Sequence, residues 1–177
     1  MNSHGNTPNF GAAKRLRKEL LTLEKNIDAN DDVYLRSSSS SGGSLLRWTA
    51  LIRGPEGTPY EGSIFRLNIK CGNDYPLAPP SISFETKIFH PNVHFTKGEV
   101  CLDILKKEWS PAWGLQSAVR AVVALLSDPD ADSPLNCDAG NMIRAGDMLA
   151  YNSTARMYAM ENGRDIEWPI KAKEGTS

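Results

Sequence analysis

Cysteine is scarce in this chain, and the few cysteines present do not form a metal-binding pattern. The 177 residues include three cysteines, Cys71, Cys101 and Cys137, and no CxxC pair occurs among them. An odd, small number argues against a disulfide framework and favours a reducing compartment. A structural zinc site is not expected, because its ligands come in closely spaced pairs. Since free cysteine is commonly buried, Cys71 and Cys137 are expected to be buried, inert thiols.

Long apolar runs and a strong charge of one sign are also missing. No stretch approaches the roughly 20 apolar residues that span a bilayer, and the polar residues 1–9 lack the apolar core of a secretory signal. The formal net charge is -1, which gives no basis for wholesale binding to nucleic acid or to an acidic membrane. We therefore expect no nucleic-acid partner and no direct membrane insertion, so that any membrane contact should come through a partner protein.

The periodic segments in the first half of the chain predict a helix followed by a meander of strands. Apolar residues recur at helical spacing over Phe10–Ile27, and a short strand can begin at Val33. Ser37–Ser44 is rich in serine and glycine and should be a loop within the domain. Alternating apolar residues then predict three strands joined by short turns, as in an antiparallel sheet. These strands span Leu46–Ile52, Ser63–Lys70 and Ser81–Phe84.

The second half is predicted to be helical after one long segment without a period. Residues 87–113 show no clear periodicity, and so long an irregular segment in a compact domain is usually functional. Leu115–Leu126 is apolar along one side and predicts a core helix. One or two more helices are expected over Pro134–Asn162, where Asp147 can cap the last one. The order of elements predicts one α+β domain at residues 10–162, between a disordered N-terminus (1–9) and a weakly ordered tail (163–177).

Cys101 lies in the irregular segment, where a cysteine is a candidate nucleophile because chemistry is often placed on loops held by a rigid scaffold. The motifs around it are specific: His90-Pro91-Asn92 precedes the block GEVCLDIL at 98–105, and Trp109-Ser110-Pro111-Ala112 follows. Further blocks are Pro59-Tyr60-Glu61-Gly62, Tyr75-Pro76, Pro79-Pro80 and Ser133-Pro134-Leu135-Asn136. In this order and spacing, the blocks resemble the ubiquitin-conjugating enzyme family. The resemblance covers roughly residues 10–162 and implies that family's fold, with an N-terminal helix, an antiparallel meander, an irregular active-site segment and C-terminal helices.

The resemblance implies an acyl transferase that forms a thioester and needs no bound cofactor. A ubiquitin-activating enzyme, which consumes the ATP, presents ubiquitin as a thioester, and the Cys101 thiolate takes it over. A lysine or cysteine of the substrate then attacks that thioester with the help of a RING-type ligase. Asn92 matches the family asparagine assigned to stabilising the oxyanion, an effect worth roughly 3–4 kcal/mol elsewhere. A structural role, in which Asn92 ties the segment to its own backbone, stays open.

Two positions near Cys101 depart from the common family pattern. Cys101 follows Asn92 by nine positions where many relatives have eight, so the loop at His94–Lys97 should bulge. Ser133 stands where the family often has an aspartate thought to orient or deprotonate the incoming lysine. Because serine is a poor base but can form hydrogen bonds, Ser133 is expected to orient the acceptor, with Asp132 as a second candidate.

The same correspondence implies two partner surfaces. Leu77 stands where ligase-binding members often have phenylalanine, which keeps the position apolar but leaves the choice of ligase open. With the first helix, the ligase-binding surface would contain Leu77, Ser110, Pro111 and Ala112. The basic residues near the start of that helix would bind the activating enzyme, although a solvated helix face is the alternative. These residues are Lys14, Arg15, Arg17 and Lys18. His90 is expected to support its loop, and Tyr75-Pro76 can adopt a cis bond.

Asp138–Met148 resembles the fungal peroxisomal branch of the family, the peroxin ubiquitin-conjugating enzymes. That resemblance implies recruitment to the cytosolic face of the peroxisome by a membrane-anchored peroxin, and ubiquitination of the cycling import receptor. The alternatives are a cytosolic member of another pathway, transfer of a ubiquitin-like modifier, and a non-catalytic ubiquitin-binding adaptor. A cysteine protease that uses His90 or His94 as its base is a further rival.

Overall fold

Four antiparallel strands form one sheet in sequence order. The computed structural model describes residues 10–26, 31–38 and 44–169, and each strand of the sheet lies beside the next one in the chain. The predicted antiparallel meander is therefore confirmed. The strands are β1 (Val33–Ser37), β2 (Arg47–Arg53), β3 (Ile64–Lys70) and β4 (Ser81–Phe84).

The alternating pattern of the strands places one face of the sheet against the core. Trp48 of β2 is paired with Ile69 of β3, and Ala50 is paired with Leu67. All of these side chains are buried, as is Phe65, whereas the intervening Arg47 and Arg66 are exposed. Successive residues of a strand point to opposite faces, so the apolar alternation of the sequence is sufficient to decide which face is buried.

Within the described ranges, five helices complete the fold. They are α1 (Phe10–Lys25), α2 (Leu102–Glu108), α3 (Leu115–Ser127), α4 (Cys137–Arg144) and α5 (Met148–Gly163). The central helix α3 buries Leu115, Val119, Val122 and Leu126 along one side, as predicted. Each such aliphatic side chain contributes about 1.5–3 kcal/mol when it leaves water. One apolar cluster joins these residues to the inner face of the sheet and to α1 and α5.

The start of the serine-rich loop and part of the irregular segment differ from the sequence prediction. Ser37 belongs to β1, so the predicted loop begins one residue later, and its residues 39–43 lie outside the described residues. The prediction that residues 87–113 are irregular throughout is wrong, because α2 occupies Leu102–Glu108. A helix of two turns is too short to show a helical period in the sequence. The predicted cap of α5 is confirmed, since the Asp147 side chain accepts from the Ala150 N–H at 3.0 Å.

The two ends of the chain are described only in part. Residues 1–9 and 170–177, where a disordered N-terminus and most of a weakly ordered tail are predicted, lie outside the described residues. In the described part of the tail, the indole ring of Trp168 lies 4.4 Å from the Arg53 guanidinium of β2. Among the described helices, none combines the length and the apolar character required to cross a bilayer.

Candidate active site

A short hairpin brings Cys101 to the start of α2. Val93 and Val100 form an antiparallel bridge, and the chain reverses at Gly98, whose φ is 72°. A Cβ at Gly98 would also collide with the Phe84 carbonyl of β4. The hairpin is fastened to the edge of the sheet, because the Val100 N–H donates to the Ile82 carbonyl at 3.0 Å.

The predicted extra residue near His94–Lys97 falls at the tip of this hairpin. Phe95, at the tip, packs edge-to-face on Tyr158 of α5 with 5.4 Å between ring centroids, and the Lys87 ammonium lies 4.6 Å from the Phe95 ring centroid. The base of the hairpin stays closed, since the Cys101 N–H donates to the Asn92 carbonyl at 3.0 Å. The longer loop therefore leaves the backbone contact between Asn92 and Cys101 intact.

Cys101 is the N-cap residue of α2, and its side chain makes no capping hydrogen bond. The residue is partly exposed, whereas Cys71 is buried and Cys137 is exposed. Burial, with the nearby Glu19 carboxylate, raises the pKa of Cys71 to about 12, so this thiol is a poor nucleophile, as expected. The expectation that Cys137 is buried is wrong. Cys137 directly follows the N-cap residue Asn136 and lies on the solvent side of the first turn of α4.

The Asn92 side chain holds a neighbouring loop. Its Nδ2 donates to the Asp130 carbonyl at 2.6 Å, and its Oδ1 accepts from the Asp130 N–H at 2.9 Å. Asn92 has no solvent-exposed surface. This pair of hydrogen bonds supports a structural role for Asn92, although the partner is the distant Asp130 backbone and not the irregular segment's own backbone. Its role in oxyanion stabilisation stays a prediction.

His90 is a structural residue, as expected. It is fully buried, its Nε2 lies 3.0 Å from the Leu125 carbonyl, and its Nδ1 accepts from the Asn92 N–H at 3.0 Å. These partners select the neutral tautomer with the proton on Nε2, and burial lowers the pKa of His90 to about 4. Because both ring nitrogens are engaged, His90 is not a base for Cys101. At the hairpin tip, the Nδ1 of His94 accepts from the N–H groups of Thr96 and Lys97.

The predicted acceptor-side residues lie on the loop between α3 and α4. Asp132 and Ser133 are both exposed, and the Asp132 N–H donates to the Asp130 Oδ1 at 3.0 Å. Through Asp130 the loop is attached to Asn92, whose carbonyl in turn accepts from Cys101. Hydrogen bonds through Asp130 thus join Cys101, Asn92 and Asp132, and Ser133 follows Asp132 directly in the chain.

The segments of the predicted ligase-binding surface also lie together. Leu77 is 79% exposed and follows the Tyr75-Pro76 bond, which is cis. The Trp109 Nε1–H donates to the Pro76 carbonyl at 2.9 Å, and the ring centroids of Trp109 and Tyr75 are 5.8 Å apart. Trp109 therefore holds the Leu77 segment beside the loop that carries Ser110, Pro111 and Ala112.

The basic residues of α1 divide into two groups. Lys14, Arg17 and Lys18 are exposed and can meet a partner. Arg15 is partly buried, and its guanidinium donates to the Pro111 carbonyl at 2.8 Å and to the Trp113 carbonyl at 2.6 Å. Arg15 is thus already engaged within the chain, and its predicted contact with the activating enzyme stays a prediction.

Glu19 of α1 was missed from the sequence, although it connects these segments. Its carboxylate accepts from Arg15 at 2.8 Å, from the Tyr75 hydroxyl at 2.7 Å and from the Leu115 N–H at 2.7 Å. It thereby caps the start of α3, and burial together with the hydrogen bond to Glu19 raises the pKa of Tyr75 far above its usual value. A signal existed in the sequence, since Glu19 interrupts the apolar stripe of α1 three residues after the buried Leu16.

Comparisons with known proteins agree with this arrangement. The family model described as "Ubiquitin-conjugating enzyme" matches residues 15–159. The chain therefore belongs to the ubiquitin-conjugating enzyme family, and it is an acyl transferase of that class. The predicted α+β fold and enzyme class are both confirmed.

Similar proteins include members with peroxin names. The chain is 52% identical over 144 residues to Protein PEROXIN-4 of Arabidopsis thaliana, and the alignment covers 81% of this chain and 90% of that protein. It is 53% identical over 146 residues to ubiquitin-conjugating enzyme E2 pex4 of Dictyostelium discoideum, and the alignment covers 82% of this chain and 95% of that protein. These relatives confirm the resemblance to the peroxin branch.

Among solved structures, the fold is similar to that of the H. polymorpha ubiquitin-conjugating enzyme Pex4p, which was crystallised in complex with the soluble domain of Pex22p. The TM-score is 0.77 and the sequence identity is 36%. The match covers 85% of this chain and 97% of that one.

Proposed function

We propose that Cys101 carries ubiquitin as a thioester and that the enzyme acts at the cytosolic face of the peroxisome, where it ubiquitinates the cycling import receptor. The peroxisomal part of this proposal rests on sequence similarity. About half of the aligned residues are identical to those of the peroxin-named enzymes of Arabidopsis and Dictyostelium. The partly exposed thiol, which makes no capping hydrogen bond at the start of α2, supports the role of Cys101.

The chemistry consists of two acyl transfers. The Cys101 thiolate attacks the carbonyl carbon of the ubiquitin thioester on the activating enzyme. A tetrahedral intermediate forms, the bond to the activating-enzyme sulfur breaks, and the activating-enzyme thiolate leaves. An acceptor lysine amine or cysteine thiol then attacks the carbonyl of the new thioester and gives its proton to water, while the bond between the carbonyl and the Cys101 sulfur breaks and the thiolate leaves. Asp132 and Ser133 are exposed on the adjacent loop and accept hydrogen bonds from the incoming amine.

Recruitment follows from the partner named for a similar structure. Pex4p of H. polymorpha was crystallised with the soluble domain of Pex22p, and we assign this chain an equivalent membrane-anchored peroxin. Such an anchor explains how the enzyme acts at a membrane that none of its described helices can cross. A RING-type ligase engages Leu77 and the loop at Ser110–Ala112, and the activating enzyme engages Lys14, Arg17 and Lys18 of α1.

Thioester charging tests the central claim. The protein is mixed with ubiquitin, activating enzyme and ATP, and the products are separated with and without reductant. We expect a ubiquitin-sized upshift that disappears with thiol, is lost in Cys101→Ala, and is kept in the matched control Cys137→Ala. An adduct that survives in Cys101→Ala would refute the assignment of the nucleophile.

The peroxisomal part has a separate test. Isolated peroxisomal membranes are incubated with the charged enzyme, and ubiquitin on the import receptor is followed by immunoblot. We expect receptor modification that requires Cys101 and that falls when an excess of the soluble domain of the anchoring peroxin displaces the enzyme from the membrane. A charged enzyme that leaves the receptor unmodified under these conditions would favour a cytosolic pathway instead.

A further inference from the structure

The helix α4 is attached to the active-site segment at its first turn. The Pro91 carbonyl accepts from the N–H groups of Leu135 and Asn136 at 2.8 and 3.0 Å, and Asn136 then caps the helix by accepting from the Ala139 N–H. Gly140 allows close packing here, because a Cβ at that position would lie 2.7 Å from the Pro134 side chain. The helix therefore has a fixed position beside the loop that carries Asp132 and Ser133.

The last residue of α4 reaches back to that loop. The Arg144 Nη1 donates to the Ala131 carbonyl at 2.7 Å, and its Nη2 donates to the Asn141 Oδ1 at 2.6 Å. Asn141 is one turn earlier on the same helix, so it orients the guanidinium toward Ala131. A planar guanidinium can hold two acceptors at once in a fixed geometry, which a lysine ammonium cannot reproduce.

Ala131 lies in the loop between α3 and α4 (residues 128–136), called the acceptor-side loop here because it carries Asp132 and Ser133. On one side, Asp130 is bound by the Asn92 amide; on the other, Asp132 and Ser133 are exposed. Arg144 thus adds a further attachment, 13 residues away in sequence, next to the two predicted acceptor-side residues. The Asn92 amide holds one end of this loop at Asp130 and the Pro91 carbonyl holds the other at Leu135, so Arg144 restrains the backbone between them.

We propose that Arg144 is a positioning residue for the transfer step, and this inference rests on the proposed role of Cys101. It holds the Ala131 carbonyl so that Asp132 and Ser133 meet the attacking amine in a reactive orientation. Within the described residues, the Arg144 guanidinium donates to Ala131 and Asn141 and not to Cys101 or α1, so it affects discharge of the thioester and leaves charging unchanged. Misplacement of a positioning group lowers the rate at saturation more than it alters the half-saturating concentration of the acceptor.

The test separates charging from discharge. Wild type, Arg144→Ala and Arg144→Lys are charged, the activating enzyme is quenched, and loss of the thioester is followed at increasing concentrations of free lysine. We expect Arg144→Ala to lower the maximal discharge rate by about five- to tenfold, with an unchanged charging rate. Arg144→Lys should recover part of the loss, because it can donate to Ala131 but not also to Asn141. Arg156→Ala, which removes an exposed arginine of α5, should discharge like the wild type.

A second readout reports on the loop directly. Hydrogen–deuterium exchange over residues 128–134 should be faster in Arg144→Ala, while exchange in the strands of the sheet is unchanged. Wild-type discharge by Arg144→Ala would overturn the proposal. A parallel fall in charging, discharge and melting temperature would also overturn it, because that pattern indicates general destabilisation. If the wild-type protein itself fails to charge, the proposed function is refuted at an earlier step, and the two failures remain distinguishable.

Discussion

Lowering the pH from 7 to 5 should destabilise the protein through His90. Burial lowers the pKa of this imidazole to about 4 in the folded state, whereas an unfolded histidine titrates near a pKa of about 6.5. Between these values the unfolded chain binds a proton that the folded chain does not bind. The free energy of unfolding therefore falls as the pH falls through this window, and the stabilisation is complete above pH of about 6.5.

The size of the effect follows from the difference between the two pKa values. A shift of about 2.5 units corresponds to about 3 kcal/mol in total, of which about 2 kcal/mol is lost by pH 5. The cause is local, because protonation would charge a group without solvent access and would remove the lone pair on Nδ1 that accepts from the Asn92 N–H. The loss should therefore also loosen the Asn92 segment beside Cys101.

The measurement is urea denaturation, followed by tryptophan fluorescence, at several pH values between 7 and 5. The control is His90→Gln, since its amide can still donate and accept but does not titrate. Carboxylates titrate in both proteins, so the difference between the two pH profiles isolates His90. We expect the wild type to lose about 2 kcal/mol more than the variant between pH 7 and 5. Parallel profiles would refute the reasoning, because they would mean that His90 binds its proton equally well in the folded and unfolded states.

Three further predictions concern the rest of the site. Glu19→Gln should lower the free energy of unfolding by about 1–3 kcal/mol, because one amide oxygen cannot replace the two carboxylate oxygens that accept from Arg15, Tyr75 and Leu115; urea denaturation measures this, and an unchanged midpoint would contradict the connecting role of the carboxylate. Leu77→Asp should reduce ligase-stimulated discharge by about tenfold or more with normal charging, since Leu77 is exposed at the predicted ligase surface; equal stimulation of both proteins would exclude Leu77 from that surface. In the native protein, iodoacetamide should modify the exposed Cys137 but not the buried Cys71, as judged by peptide mass spectrometry, and comparable labelling of both would show that Cys71 is accessible.

Much of the fold could be predicted because its determinants are local. Period-two alternation in β2 and β3 decides which side chains face the core, and helical spacing does the same for α3. The cap of α5 needs only Asp147 at the right offset from Ala150. The helix α2 could not be predicted in this way, because its seven residues contain too few turns for a period. The exposure of Cys137 could not be predicted either, since it depends on which side of α4 faces the neighbouring elements.

The sequence by itself determined the class of enzyme and predicts Cys101 as its nucleophile, because Cys101 and Asn92 belong to motifs whose residues are close neighbours along the chain. Only the tertiary structure decided how these residues are held. The Asn92 amide meets Asp130 across 38 positions, and Glu19 meets Leu115 across 96. No local pattern encodes such contacts, because the partners are far apart in the sequence and meet only through the packing of the sheet and α3. For the same reason, the link from Arg144 to the Ala131 carbonyl became visible only once α4 had its place beside the acceptor-side loop.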